Sequence, residues 1–308
     1  MQIFLSTLNQ TTFLFALIAL GYALTKFKFV PRNSPAVLSK LENYLFLPAL
    51  VLLTFTENFT IEKISSAWKI LLFSLVVLGV VIPVTFLVTK FITKDDYIRK
   101  IYIYGLSFSN FSFMGNAIVS TLFPEIFLEY VIFTIVLWVV IYLWGAPALL
   151  ISDSGHMSLS HRLKSFVNPM FIAMVIGAVL GLMKLSLPSP IALALTSAKD
   201  CMSPIAMLLT GMTVANIDLK KTFSDVKIYI VSLLRLVIYP LIFIGLAKFI
   251  PMDNTLFICT VCTLAMPLGL NTIVIPGAYG KDTSAAAGMA LVSHLLSCIT
   301  IPLIFNLI

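Results

Sequence analysis

The chain has 308 residues, 60% hydrophobic and only 11% charged, with a formal net charge of +7 and a mean hydropathy of +1.05. A soluble domain carries about 25% charged residues, so a water-bathed globule is excluded and lipid must solvate most of the surface. Nucleic-acid binding is excluded as well. The basic residues fall in short loops between apolar runs, not along a stripe interleaved with aromatics.

Ten apolar spans can be drawn, approximately 5–25, 36–56, 68–92, 100–122, 127–150, 165–184, 190–214, 225–248, 254–278 and 284–307. Each holds about 20 residues, enough to cross roughly 30 Å of hydrocarbon. The first has no basic leader segment or cleavage pattern and is followed by Lys26, Lys28 and Arg32, so it reads as a retained helix with its N-terminus outside. Alternate loops continue that basic side with Lys90, Lys94, Arg99 and Lys100, then Arg162 and Lys164, then Lys220, Lys221 and Lys227, then Lys281. The opposite loops hold only Lys63, Lys69, Lys184 and Lys248. Positive charge marks the cytoplasmic side. The expectation is a multi-pass plasma-membrane protein with both termini extracellular and the polar linker 153–164 in the cytoplasm.

That linker divides the chain into five-span halves, 1–152 and 165–308. Five is odd, so the second half must be inverted relative to the first. Faint similarity agrees: Gly21 to Lys26 echoes Gly177 to Lys184, Val81-Ile82-Pro83 echoes Val237-Ile238-Tyr239-Pro240, and Asn116-Ala-Ile-Val119 echoes Asn271-Thr-Ile-Val274. The predicted fold is therefore all-α, with ten transmembrane helices in a 5+5 inverted repeat.

Spans four and nine are interrupted in the same way. Leu106-Ser-Phe-Ser-Asn110-Phe-Ser-Phe-Met-Gly115-Asn116 and Leu264-Ala-Met-Pro267-Leu-Gly269-Leu-Asn271 place helix breakers and carboxamides near mid-bilayer. Bare backbone is expensive there, and paired broken segments in corresponding halves point to a transporter's binding site. Pro267 must bend or unwind its helix. Gly115 and Gly269 allow unusual backbone or close approach. Carboxamides supply partners for freed N–H and C=O groups, and half-helix N-termini favour an anionic substrate.

Ionisable residues inside spans are functional candidates by default. Asp200 precedes Cys201-Met202-Ser203-Pro204, where the seventh span can bend and hydrate, which suits a proton or coupling-ion site. Glu42 and Lys40 lie near the cytoplasmic end, where snorkelling to the interface stands beside a functional role as the alternative. Arg235 could answer Asp200 or a substrate carboxylate, while His294 reads as a hydrogen-bonded packing residue and His156 and His161 as linker residues. Gly177-x-x-x-Gly181 is a helix-packing pattern. Cys201, Cys259, Cys262 and Cys298 all lie in apolar segments and read as packing, since no second cysteine pair completes the Cys259-x-x-Cys262 spacing. No nucleotide, nucleophile-elbow or zinc-protease motif appears. An enzyme is not expected.

Taken together, these motifs resemble the auxin efflux carrier family. The resemblance rests on Asn110 to Gly115 in span four, Asp200-Cys-Met-Ser-Pro204 through Gly211 in span seven, and Arg235-Leu-Val-Ile-Tyr-Pro240 in span eight. It continues with Met266-Pro267-Leu-Gly-Leu-Asn271 in span nine, Ser293-His294 through Pro302 in span ten, and Asn43 with Leu47-Pro48-Ala49-Leu50 in span two. One departure is that the family's crossover proline falls on Ala117, so the fourth-span break is expected to rely on Gly115 and to be milder than that at Pro267. The resemblance implies a fold like the bile-acid/sodium symporters, with broken helices 4 and 9 crossing in a transport domain beside a scaffold domain. It implies secondary transport of a small carboxylate of the malate, malonate or auxin kind, coupled to H+ or Na+ without a cofactor. Asn110 and Asn271 would bind the carboxylate, with Asn116 beside them. Gly115 and Pro267 would shape the crossing, and Asn43 and Asp200 would line the adjoining cavity. The expected partners are the carboxylate and the bilayer, with a homodimer left open. The alternative is a passive anion channel or a membrane sensor.

Overall fold

The computed structural model describes every residue except 1, 60, 152–168, 217–222, 270, 279–280 and 283. The linker 153–164, with His156 and His161, and the side chain of Asn43 lie outside the described residues. Helix dominates, and the one β-type pairing among the described residues is an isolated antiparallel bridge.

Helix α1 (Gln2–Lys26) is followed by α2 (Ser34–Leu41), which continues through a π-helical turn at Glu42–Phe46 into α3 (Leu47–Asn58). Then come α4 (Ile61–Ile92), α5 (Asp96–Ser107), the short α6 (Asn116–Leu122), α7 (Phe127–Val140) and a π-helical continuation over Ile141–Ile151. The second half contains α8 (Pro169–Leu182), α9 (Ser189–Val214), α10 (Val226–Leu233), α11 (Tyr239–Ala247), α12 (Asn254–Ala265), α13 (Asn271–Ala278) and α14 (Ser284–Phe305).

Among the described residues, five stretches are long and apolar enough to cross a membrane unbroken: Ser34–Asn58, Ala67–Ile92, Ser189–Val214, Val226–Ala247 and Ala285–Phe305. A sixth is reached if Asn116–Leu122 and Pro124–Val140, bent by 118° at their junction, count as one. The shortfall from ten has a local cause at spans four and nine. Helices α5 and α12 have 12 residues each, about 18 Å at 1.5 Å per residue, and stop halfway across. Large apolar side chains cover the exterior. On α4, Trp68, Leu72, Leu75, Val76, Val80, Leu87 and Phe91 are all exposed, as are Ile172, Val175, Ile176 and Val179 on α8. A water-soluble surface rarely carries contiguous apolar patches beyond a few hundred Å². Lipid is the solvent that this surface fits.

Helix ends obey local chemistry. Asp95 and Asp253 cap α5 and α12, their carboxylates accepting from the N–H groups of Ile98 and Thr255. After α1 the chain closes with Lys28 in the left-handed region (φ 61°), and after α8 with Lys184 (φ 55°). In the first case Lys28 N–H donates to Thr25 O and Phe29 N–H to Leu24 O; in the second Lys184 donates to Gly181 O and Leu185 to Leu180 O. This is the Schellman closure. Every residue of one closure lies 156 positions from its counterpart in the other.

Packing repeats at the same spacing. Gly21 abuts the carbonyl of Leu208, and Gly177 abuts the carbonyl of Leu52, where a Cβ would lie 2.6 Å from the oxygen. Gly21 and Gly177 are 156 positions apart, as are Leu52 and Leu208. Thus α1 packs on α9 as α8 packs on α3. The pattern Gly177-x-x-x-Gly181 earns its small residues here, because Gly181 likewise lies against the carbonyl of Phe55. A further recurrence sits in the same helices: Pro48, Leu52, Leu53 and Thr54 return as Pro204, Leu208, Leu209 and Thr210. Both threonines donate back to the carbonyl four residues earlier. The remaining helices, α4 to α7 and α10 to α14, gather around the two interruptions.

Candidate functional site

The interruptions meet. Helix α5 ends as Phe108 turns extended (φ −122°, ψ 110°), and α12 ends as Met266 does the same (φ −68°, ψ 146°). Met266 has little choice, because the ring of Pro267 disfavours a helical residue before it. The two extended pieces then pair, with Ser109 bridging Leu268 in antiparallel sense and Asn110 N–H donating to Pro267 O at 2.7 Å. Gly269 makes this approach possible, since a Cβ there would sit 3.2 Å from Ser109 O.

This corrects the expected role of Gly115. The first break falls at Phe108 to Asn110, and Gly115 itself is helical (φ −63°, ψ −49°). It is small for another reason: a Cβ would strike the hydroxyl of Tyr130, which donates to Phe111 O at 3.1 Å. Phe111–Gly115 form a π-helical turn before α6 resumes, so three residues separate helical turns at the first break, against five positions between Ala265 and Asn271 at the second, in line with the milder break expected without the proline.

Side chains from neighbouring helices satisfy the freed backbone. Ser109 Oγ donates to Thr263 O at 2.8 Å. Leu268 N–H donates to Ser293 Oγ at 3.2 Å. Asn110 is buried (3% exposed), and its Nδ2 lies 3.0 Å from His294 Nε2. His294 Nδ1 faces the carbonyl of Ala290 at 2.7 Å. A carbonyl can only accept, so Nδ1 carries the ring proton and Nε2 accepts from the carboxamide. That is the packing role read for His294, with the addition that it orients Asn110. Asn271 is half-buried and donates through Nδ2 to Tyr104 Oη at 3.3 Å.

Asn116, 4% exposed, opens α6, and its Oδ1 has no hydrogen-bond partner among the described residues. The hydroxyl of Ser112, one turn before it, is also unsatisfied. Buried polar atoms without partners are costly, so this edge of the crossing is where a polar guest or water would be welcome. Asn110, Asn116, Pro267 and Asn271 are therefore brought onto the two crossed segments.

Asp200 stands apart from them. It is exposed and lines a cavity of about 390 Å³ between α3 and α9 on one side and α6 and α7 on the other. Glu57, Glu125 and Lys199 share that lining. Ser120 and Thr121 of α6 reach into it, four or five residues from Asn116, or about 6–8 Å along the helix.

Two residues depart from expectation. Glu42 does not snorkel: it is fully buried in its π-helical turn, and neither carboxylate oxygen has a partner among the described residues. Arg235 does not meet Asp200 and is 1% exposed. Its Nε donates to Met266 O at 3.3 Å, Nη1 to Leu106 O at 2.8 Å and Nη2 to Thr263 O at 2.6 Å. Cys259 and Cys262 are buried free thiols, as packing predicts. Tyr104, Ser109, Tyr130 and Ser293 were not singled out individually as site residues by sequence reasoning. Each is a polar group inside an apolar span, and that was the available signal.

Comparison with protein families yields one that covers nearly all of the chain. A family model described as a membrane transport protein matches residues 7–159 and 154–305. No curated protein matches.

Proposed function

The chain belongs to the membrane transport protein family, that of the auxin efflux carriers, and from that membership we propose that it is a secondary active transporter of small organic anions working by alternating access. Membrane transport follows from the family; the substrate class and mechanism are our reading. One observation carries it: the antiparallel pairing of Ser109 with Leu268, which brings two interrupted helices and their carboxamides to one buried place. Half-helices that end inside a membrane exist to meet something there. In this reading Asn110, Asn116 and Asn271 supply donors to the carboxylate, while Pro267 holds the shape of the crossing and Gly115 leaves room for the Tyr130 hydroxyl that braces it. Asn43 of the second span is assigned to the same site on the resemblance of its motif alone. Family membership also argues against an enzyme.

The topology proposed is ten spans in two inverted repeats, 1–152 and 165–308, joined by the cytoplasmic segment 153–164, with both termini outside. The paired Schellman closures and the reciprocal glycine contacts, all 156 residues apart, support it. Contacts between halves that exchange partners, as α1 on α9 and α8 on α3 do, are what a two-fold relation between repeats produces. Helices α1, α2–α3, α8 and α9 form the scaffold, and the crossing moves against them.

Asp200 is assigned to coupling, with H+ or Na+ as its ion. Its cavity carries three carboxylates against one ammonium, a lining that suits a cation better than a carboxylate. Reconstituted protein should take up labelled mono- or dicarboxylates saturably, and Asn110→Ala or Asn271→Ala should abolish uptake while leaving expression intact. Normal uptake by both variants would remove the site. Asp200→Asn should flatten the pH dependence of uptake, and an unchanged profile would make the aspartate structural.

A further inference from the structure

Arg235 is a full positive charge in the interior of a membrane protein, and no carboxylate pairs with it among the described residues. Such a charge is tolerated only where something else answers it. What answers it is backbone. Leu106 lies in the last turn of α5, Thr263 in the last turn of α12, and Met266 just past that helix's end. All three accept from the one guanidinium. A helix C-terminus carries roughly half a negative charge, so the ends of α5 and α12 together present about one negative charge to the crossing. A single arginine matches it.

In broken-helix transporters, unwound carbonyls and half-helix C-termini are the groups that hold a coupling sodium ion. Here those groups are already engaged. We propose that Arg235 is the resident cation of the crossing, a tethered side chain standing where a sodium ion would otherwise bind, so that sodium has no part at the carbonyl ends of α5 and α12. The inference deepens the transport reading above, because it leaves any coupling ion to the Asp200 cavity. It also gives Arg235 a positioning role: it acts through the two helix ends, not on the substrate. Its five donors in a fixed fork fit several carbonyls at once, which an ammonium cannot copy in full.

The test uses the purified full chain carrying Asp200→Asn, which silences the other cavity, its melting temperature read in sodium chloride and in choline chloride at equal ionic strength. With Arg235 intact this protein should melt at the same temperature in both. In that background Arg235→Gln keeps hydrogen-bonding capacity but loses the charge. It should melt lower in choline, and sodium or millimolar guanidinium should raise it by on the order of 2–4 °C. Arg235→Lys keeps the charge and should fold and stay indifferent to sodium, even if the Gln variant cannot be purified. Saturable stabilisation by sodium of the Asp200→Asn protein with Arg235 intact would overturn the proposal. So would an Arg235→Gln protein that melts like its Arg235 parent and ignores both cations, or an Arg235→Lys protein that fails as badly as Gln. Uptake measured alongside separates this from the transport reading. If the chain moves no carboxylate, uptake is silent for every variant including wild type, while the melting comparison still decides the role of Arg235.

Discussion

The outer helices and the crossing treat the two halves of the chain differently. At the ends of α1 and α8 the halves are near copies, down to a lysine in the same left-handed conformation and the same pair of closing hydrogen bonds. At the crossing they diverge. Arg235 binds both helix ends from the second half, whereas the position 156 residues earlier is Gly79, with open space around it. Tyr130 braces the first break, and its counterpart by the same spacing is Ala286. The lesson is that framework and site follow different rules. Helices that only pack can remain alike, but a site facing one substrate needs each group once.

The comparison can be broken where it is most rigid. Gly211→Val would drive a side chain into the carbonyl of Ile18 and to within 2.8 Å of Tyr22 N, both backbone atoms. Backbone cannot step aside, so the loss should exceed about 3 kcal/mol and appear as failure to purify a monodisperse protein. Gly177→Val, against Leu52, should fail comparably. A mild result at either glycine would mean that the α1–α9 and α8–α3 contacts are not equivalent. Next in size is Tyr130→Phe, which deletes one of the two donors to Phe111 O and leaves the Asn116 N–H as the other. It should cost about 0.5–1.5 kcal/mol in thermal unfolding, with reduced uptake. Lys28→Gly and Lys184→Gly relieve a left-handed side chain and should each stabilise by about 1 kcal/mol. Their equality is the point: values differing by more than a few tenths would show that the closures are alike only in outline. Smallest is Gly79→Ala, which meets nothing and should gain about 0.5–1 kcal/mol from helix propensity.

Sequence made the framework legible because lipid enforces a simple code of apolar length, basic loops and paired breaks. It located both interruptions and named most of the polar residues that line them. It misjudged Gly115, since a glycine's smallness and its backbone freedom leave the same letter in a sequence. Only the hydroxyl of Tyr130 shows which is used here. It left Arg235 undecided because carbonyl oxygens are invisible in a list of side chains. A search for acidic partners finds none, and the partners are helix ends that form only once the chain has been broken twice. Glu42 was misplaced for a related reason, in that distance along a helix does not say how deep its neighbours bury it. The recurrence of Pro48 to Thr54 as Pro204 to Thr210 was readable throughout. Among so many leucines it does not stand out.

The bond from Asn110 N–H to Pro267 O joins residues 157 positions apart, and the Asn110–His294 bond joins residues 184 apart. At about 5–20 residues per second of synthesis, the backbone opened after α5 waits on the order of 10–40 s for the groups that will satisfy it. A newborn fourth segment therefore cannot sit in bare lipid in its final shape. It must remain sheltered by the insertion machinery, or stay helical and unwind only when the last helix arrives. The crossing is thus completed only when α14 emerges, and a chain cut short before it would lack the Ser293 and His294 groups that hold Leu268 and Asn110.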